Sequence, residues 1–355
     1  MTPLETRLRD RIAADGPISI AEFMEAALGD PEHGYYRTRD PLGRAGDFIT
    51  APEISQVFGE LIGLWAAVSW QQIGAPERVR LVECGPGRGT LMADALRAAR
   101  TVPAFAAAVE IHLVETSPAL RAVQRETLAA YGPSWHEALE SVPSGPAIVI
   151  ANEFFDALPI RQYERTDGGW CERRVSADAE GLVLSISPGT PEMLAPSSAA
   201  EPGDVFETCA AAAEIAEEIS RRIARDGGAA LVIDYGHAET AYGDTLQAVK
   251  GHAYTDPLAD PGEADLTAHV DFGALAAAFR LGGAATFGPV AQGEFLVSLG
   301  VAERTEALAR GQPPERAAML RSATNRLIDS RQMGRLFKVL AVAGPHSDRP
   351  AGFEG

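Results

Sequence analysis

The sequence predicts an α/β protein built on a mostly parallel sheet, and three observations carry that reading. Short apolar segments rich in strand formers alternate with stretches of helical composition, the pattern of strand–crossover–strand units. One of these segments, Val79-Arg-Leu-Val-Glu-Cys-Gly-Pro-Gly-Arg-Gly-Thr90, passes from strand to glycine turn to helix start. Acids and amides collect where the candidate strands end, which is the rim where open α/β sheets bind ligands.

Residues 1–75 read as an N-terminal helical region, with Ile12, Ile18, Ile20, Phe23, Met24 and Leu28 supplying apolar faces and Asp30–Tyr36 a turn. Thr50-Ala-Pro-Glu53 has the spacing of a capping box with proline in the first turn. Ile54, Phe58, Leu61, Ile62 and Trp65 then fall on one helical face, fit to lie on a sheet. Strands are expected near 79–84, 110–115, 147–151, 229–234, 284–290 and 336–343, and helices near 90–100, 118–130 and 271–281. Residues 76–159 would form the first half of the α/β core. Residues 160–225 would be an insertion: antiparallel strands at Arg161–Tyr163, Trp170–Val175 and Leu182–Ile186, a loop over 187–202, and a helix over 210–225. The second half of the core, 226–345, carries further helix over 302–331, and 346–355 is expected to fray.

The glycine turn narrows the ligand. Gly85, Gly87 and Gly89 are spaced Gly-x-Gly-x-Gly, not as the dinucleotide fingerprint, and no Gly-Lys-Ser/Thr follows as in a triphosphate loop. Glu83 stands two residues before Gly85, where a carboxylate repels a pyrophosphate and attracts a ligand bearing an ammonium and a sulfonium. At ~5 Å and an effective dielectric near 20, one such pair is worth about 3 kcal/mol before desolvation. That sign favours S-adenosyl-L-methionine (SAM) over nicotinamide dinucleotides on this Rossmann-like core. Glu115, closing the next strand, suits the ribose hydroxyls of an adenosine, and Thr116 and Ser117 after it join Pro86 and the glycines in the donor-binding set. Asn152-Glu153 follows Ala147–Ala151, and Asp234 ends the strand after that. A strand end there would face donor and acceptor, so Asn152 is assigned to the donor and Asp234 to the substrate.

Size and charge exclude other classes. The chain has 355 residues, enough for one large α/β domain or two, and no apolar run of membrane-spanning length. A net charge of −18 disfavours nucleic acid and anionic membranes and permits a basic protein partner. The N-terminus mixes acids and arginines with no apolar stretch, so a cytoplasmic location is expected. Cys84, Cys171 and Cys209 are too dispersed for a disulfide framework or a zinc site, and no histidine pair has metal-ligand spacing, so no metal is expected. The helical segments 1–75 and 302–331 could pack within one chain or across a homodimer.

Six separated motifs in order carry a resemblance: Gly46–Glu60, Glu83–Gly89, Ala151-Asn-Glu-Phe-Phe-Asp-Ala-Leu-Pro159, Asp256-Pro-Leu258, Asp265–Phe272 and Met333–Leu340. Together they resemble the MidA family, over about residues 5 to 342. The resemblance implies a class I SAM-dependent methyltransferase fold, a seven-stranded, mostly parallel sheet with one antiparallel strand. Mitochondrial members are required for complex I assembly and dimethylate an arginine of a core subunit symmetrically, so it implies a protein substrate of that kind. It maps Asn152, Glu153 and Asp156 onto the motif lining the methyl-transfer cleft. An arginine, with a pKa above ~12, needs carboxylates to orient it; Glu153 and Asp156 are the candidates, each with a structural alternative as donor ligand or turn cap. His269 could accept the released proton with Asp271 beside it, although Asp271 also suits the N-cap of the 272–279 helix. Asp47 and Thr50 are placed in a loop that could close over the donor. Two rivals stand beside the enzyme: a SAM-binding assembly factor without catalysis, and a nicotinamide-dependent oxidoreductase, which the glycine spacing and Glu83 oppose.

Overall fold

The computed structural model describes residues 1–38, 50–189 and 199–354. Two compact units emerge from the contacts. One gathers the described residues of Ile49–Phe155, Glu214–Ala238 and Phe272–Gly355, the other those of Met1–Phe48, Asp156–Ala213 and Glu239–Asp271. This grouping crosses the consecutive segments drawn from the sequence: the N-terminal helices up to residue 38 join the inserted strands, whereas Ala51–Gln72 joins the parallel sheet.

The first unit is built on β1 (Val79–Cys84), β2 (Val109–Val114), β3 (Ser134–His136), β4 (Ala147–Asn152), β5 (Gly228–His237), β6 (Ala285–Ala291) and β7 (Phe337–Ala343). Their spatial order is 3-2-1-4-5-7-6. Strands β1 to β5 pair in parallel, and β7 runs antiparallel to both β5 and β6. The mostly parallel sheet with one reversed strand is thus present as the resemblance implied. Period-two alternation explains its burial on both faces. Val79, Leu81, Ile148, Ile150, Leu231, Ile233 and Val339 point into one apolar cluster, while the alternate residues Val82, Val149, Val232 and Leu340 are buried as well.

Helix α1 (Gln56–Gln72) covers this sheet with Phe58, Leu61, Ile62 and Trp65, as its periodicity predicted. It does not begin at Thr50. Ala51–Ile54 forms one separate turn; Ser55 is extended (φ −153°, ψ 124°) and its hydroxyl accepts from the Val57 N–H at 3.3 Å. The expected capping box is therefore absent. Thr50 occupies the N-cap without a side-chain bond, the Glu53 N–H donating to the Thr50 carbonyl, and the Glu53 carboxylate accepts from the Thr90 hydroxyl instead. Helix α2 (Thr90–Ala99), which follows the glycine turn, lies against α1 at two glycines one helical turn apart. A Cβ on Gly59 would come within 2.6 Å of the Asp94 Cβ, and one on Gly63 within 2.4 Å of the Ala95 carbonyl oxygen. Glu60, between them, is buried and receives Arg97 at 2.9 Å and Arg304 at 2.6 Å. The C-terminal segment packs where fraying was expected: Phe353 is buried against Phe295, and the Trp65 indole donates to the Ala351 carbonyl at 3.1 Å.

In the second unit, Gly169–Ala177 pairs antiparallel with Arg161–Thr166, Leu182–Pro188 and the short Ile18–Ser19, and Val205–Thr208 adds to Arg161–Thr166. The inserted β unit is as expected; Val205–Thr208 and a small sheet of Gln247–Lys250, Ala253–Thr255 and Asp265–Thr267 were not foreseen. Ile20, Phe23, Met24, Leu28 and Val175 form its core.

The α1–α2 approach yields a test. Gly63→Ala forces the helices apart and should cost about 1–3 kcal/mol, the range for overpacking a tight contact. Urea denaturation measures it; an unchanged midpoint would refute the close approach.

Candidate active site

The middle of the sheet fixes the site. β1 and β4 are neighbours, with Cys84 beside Ala151, yet the sheet grows toward β2 on one side and β5 on the other. Connections leaving two such strands in opposite directions open a crevice at their carboxyl ends. The glycine turn lines one side. Gly85, Gly87 and Gly89 all have positive φ (63°, 52° and 80°), and the Gly89 N–H donates to the Pro86 carbonyl at 2.7 Å. Gly85 needs its missing side chain twice over, for φ and because a Cβ would meet the Phe154 ring at 2.9 Å. Phe154, from the loop after β4, thus rests on the turn; motif reading alone gave it no role.

Glu83, next to last in β1, lies beneath this turn and corrects the sequence-based electrostatics. It is only 3 % exposed, and its Oε2 has no hydrogen-bond partner among the described residues. Burial alone pushes its carboxyl up to about 8, so at neutral pH it is largely protonated while no cation lies beside it. Asn152 at the end of β4 has a similar orphan: its Oδ1 is buried and unpartnered, while its Nδ2 donates to Glu153 Oε1 at 3.2 Å. Leaving such acceptors unsatisfied costs about 1–3 kcal/mol each. A ligand that brings positive charge and N–H or O–H donors to these strand ends relieves both, so the residues present fit a cationic adenosyl donor.

Glu115 follows β2 and is held from two sides. Its Oε1 accepts the Ser117 N–H at 2.7 Å and its Oε2 the Gln124 amide at 3.1 Å; Thr116 donates its N–H as well. Burial is the largest influence and raises its carboxyl, against these hydrogen bonds. Ser117 is buried and caps helix α3 (Pro118–Thr127) by accepting the Leu120 N–H at 3.3 Å, so its side chain has structural work.

Past β4 the chain is forced into an unusual turn. Glu153 has φ +50°, a left-handed conformation rare for a residue with a side chain. Its Oε1 accepts the Ala51 N–H at 3.0 Å. Asp234, expected to touch substrate, is completely buried. Its Oδ2 accepts the Phe154 and Phe155 N–H groups at 3.2 and 3.0 Å, and its Oδ1 the Tyr235 N–H at 2.9 Å. Those bonds fix the loop carrying Glu153 and Phe154. Thr50 precedes the one-turn helix Ala51–Ile54, and Asp47 lies outside the described residues.

Three candidates fall in the second unit. Asp156 is buried, and its carbonyl accepts the Ala268 N–H at 2.9 Å. Tyr36 donates to Asp265 Oδ1 at 2.8 Å, and its phenol is raised well above its ordinary range by burial and then by Asp265 and Asp156. Tyr36 and Asp265 are neighbours of Asp156 that sequence reasoning missed. His269 donates its backbone N–H to the Thr245 hydroxyl at 2.9 Å, and Asp271 accepts from the Thr240 hydroxyl at 3.1 Å. Among the described residues no cluster of histidine, cysteine or acid could hold a metal.

The state of Glu83 is testable. Its folded pKa, about 8, lies above its ordinary 4.5, so the native state holds the extra proton between them. Its contribution is therefore intact below about pH 4.5 and is lost as pH rises through about 8. Glu83→Gln should gain thermal stability over the wild type as pH goes from 5 to 9. A difference that stays flat across that range would show the carboxyl is not buried and neutral.

Comparison with known proteins agrees with this geometry. Residues 61–290 match a family model described as "Putative S-adenosyl-L-methionine-dependent methyltransferase". The mitochondrial protein arginine methyltransferase NDUFAF7 of Danio rerio is 39% identical, covering 94% of this chain and 85% of its own length. The Homo sapiens protein of that name is 38% identical over 98% of this chain and 84% of its own. A crystal structure of a Burkholderia thailandensis protein bound to S-adenosyl-homocysteine superposes with a TM-score of 0.82 at 30% identity, covering 99% of this chain and 92% of that one. The chain belongs to the MidA family of S-adenosyl-L-methionine-dependent methyltransferases.

Proposed function

We propose that the acceptor is an arginine side chain of a protein, and that Glu153 orients it. The observation that carries this reading is the left-handed Glu153 at the end of β4, the strand adjoining the one that runs into the glycine turn. A non-glycine residue in that conformation stores about 1–3 kcal/mol of strain, a feature concentrated at functional sites. The names of the relatives, protein arginine methyltransferases, support the same acceptor.

Bound SAM supplies an electrophilic methyl: as the N–C bond forms the S–C bond breaks, and the nitrogen sheds one proton. A guanidinium is a poor nucleophile because its lone pairs are delocalised. Glu153, with Asp156, would draw the positive charge onto the nitrogens that do not attack. His269 would take the proton. Glu83, Gly85, Pro86, Gly87, Gly89, Glu115, Thr116, Ser117 and Asn152 would hold the donor, and Asp47 and Thr50 the acceptor side, while Asp234 serves by fixing the 153–155 loop.

The finer identity follows the family resemblance: symmetric dimethylation of an arginine on a respiratory complex I subunit. Three free cysteines, with no disulfide, suit a reducing compartment such as the cytoplasm.

Mass spectrometry of arginine methylation in cells with and without the gene, paired with transfer of labelled methyl to candidate subunits, tests the acceptor. Label on a residue other than arginine would refute it. Glu153→Gln should lower kcat by about a hundredfold, the scale for losing one electrostatic stabiliser, with donor affinity within a few fold. Gly87→Val should abolish donor binding in a chain that still folds, because φ +52° excludes a branched side chain. Calorimetry reads the binding and circular dichroism the fold; unchanged affinity would remove the turn from the site.

A further inference from the structure

Gln124 is completely buried on α3, and both its amide N–H groups and its amide oxygen are hydrogen-bonded. Its Nε2 donates to the Gly87 carbonyl at 2.7 Å and to Glu115 Oε2 at 3.1 Å, and its Oε1 accepts the Trp135 indole N–H at 2.9 Å. An indole nitrogen can only donate, so the amide oxygen must face Trp135 and both amide hydrogens must face the turn and the acid. One side chain thus ties the middle glycine of the turn to the acid after β2. The helix beneath is equally close: a Cβ on Gly89 would lie 3.3 Å from the Leu128 Cδ1 and 3.7 Å from the Gln124 Cγ.

We infer that Gln124 is the positioning residue of the donor site, holding Glu115 in the geometry that receives the ribose hydroxyls and locking the Gly87 turn to it. The inference rests on the reading of Glu115 as the ribose acid. The Glu115 carboxylate accepts bonds from fixed directions, Ser117 N–H at Oε1 and Gln124 at Oε2, with the Thr116 N–H donating as well. A carboxylate offers about four lone-pair sites, so those bonds orient it while it keeps accepting capacity for the ribose. Without Gln124, Glu115 could rotate, and the Gly87 carbonyl and Trp135 N–H would lose their partner. Nothing in the chain's motifs marks this glutamine, because it lies inside an ordinary amphipathic helix.

The test compares S-adenosyl-homocysteine with its 2′,3′-dideoxy counterpart by calorimetry on the full chain. In the wild type, loss of both hydroxyls should weaken binding by about a hundredfold, as for hydrogen bonds to a charged group. Glu115→Ala should erase that ratio. Gln124→Leu should weaken S-adenosyl-homocysteine about tenfold and shrink the ratio to a few fold, and raise KM for the methyl donor far more than it changes kcat. Gln124→Glu gives a signature that mere packing would not: protonated, its single O–H can donate to Glu115 while the Gly87 carbonyl loses its partner; ionised, it repels Glu115. Its affinity should be highest near pH 5.5 and fall steeply by pH 8. A wild-type ratio in Gln124→Leu with the ratio lost in Glu115→Ala overturns the role of Gln124. A ratio surviving Glu115→Ala overturns the ribose reading first, and the inference with it. If Gln124→Leu does not fold, Gln124→Glu decides: pH-independent affinity refutes the inference.

Discussion

The adjacency of β1 and β4 at the point where the sheet reverses direction governs everything else in the donor-binding unit. It exists because β1 and β4 are apolar on alternate residues of both faces, which places them at the centre of the sheet rather than at an edge. Once they are central and parallel, the chain must leave them in opposite directions, and the crevice follows from topology. Helix α2 then has to start at the rim, because the glycine turn between β1 and α2 is only five residues long. Gly59 and Gly63 let α1 press against α2, and Glu60 with Arg97 and Arg304 ties the same helices electrostatically. A buried carboxylate with two partly exposed arginines contributes less to net stability than to fixing which helices meet.

The acids on this rim divide into two kinds. Asp234 is held by backbone N–H groups, and Glu115 by Ser117, Thr116 and Gln124. These are positioned acceptors whose geometry is set before any ligand arrives. Glu83 is the reverse, buried beside apolar strands with an oxygen left without a partner. A charge placed there would be expensive, and the group meets that cost by staying protonated up to about 8. A cation arriving above it would lower its pKa, so the attraction read from the sequence is realised only together with proton release. A carboxyl so placed favours positive charge above it without being a bare carboxylate when none lies there.

Much of this was legible in the sequence. The six long core strands were placed within a few residues, since Val, Ile and Leu runs between glycine turns have few alternative readings. The turn and its flanking acids were equally plain, because backbone constraints select glycine at fixed spacing. What was missed has physical reasons. Val205–Thr208 and Gln247–Lys250 are four-residue strands whose pairing depends on partners elsewhere in the chain. The capping box at Thr50 failed because a tertiary partner, the Thr90 hydroxyl, took Glu53. Asp234 resembled a ligand-binding acid because strand-end position does not reveal whether a carboxylate faces solvent or backbone amides. Gln124 and Phe154 gave no signal, since neither spacing nor composition marks a side chain that acts by touching a glycine.

Phe154 and Glu153 show how one buried acid can shape the loop after β4. Because Asp234 draws the Phe154 and Phe155 N–H groups to a single carboxylate oxygen, the chain must bend sharply just before them. Glu153 absorbs that bend in its left-handed φ, and the Ala51 N–H holds its carboxylate in place. The same bend lays the Phe154 ring on Gly85, so a change at residue 234 is felt at the donor turn as well as at Glu153. The loop 152–155 is therefore one mechanical element, joined to the glycine turn through Phe154 and to Ala51 through Glu153. Its strain is sustained by Asp234 from β5, whose carboxylate holds the Phe154 and Phe155 N–H groups.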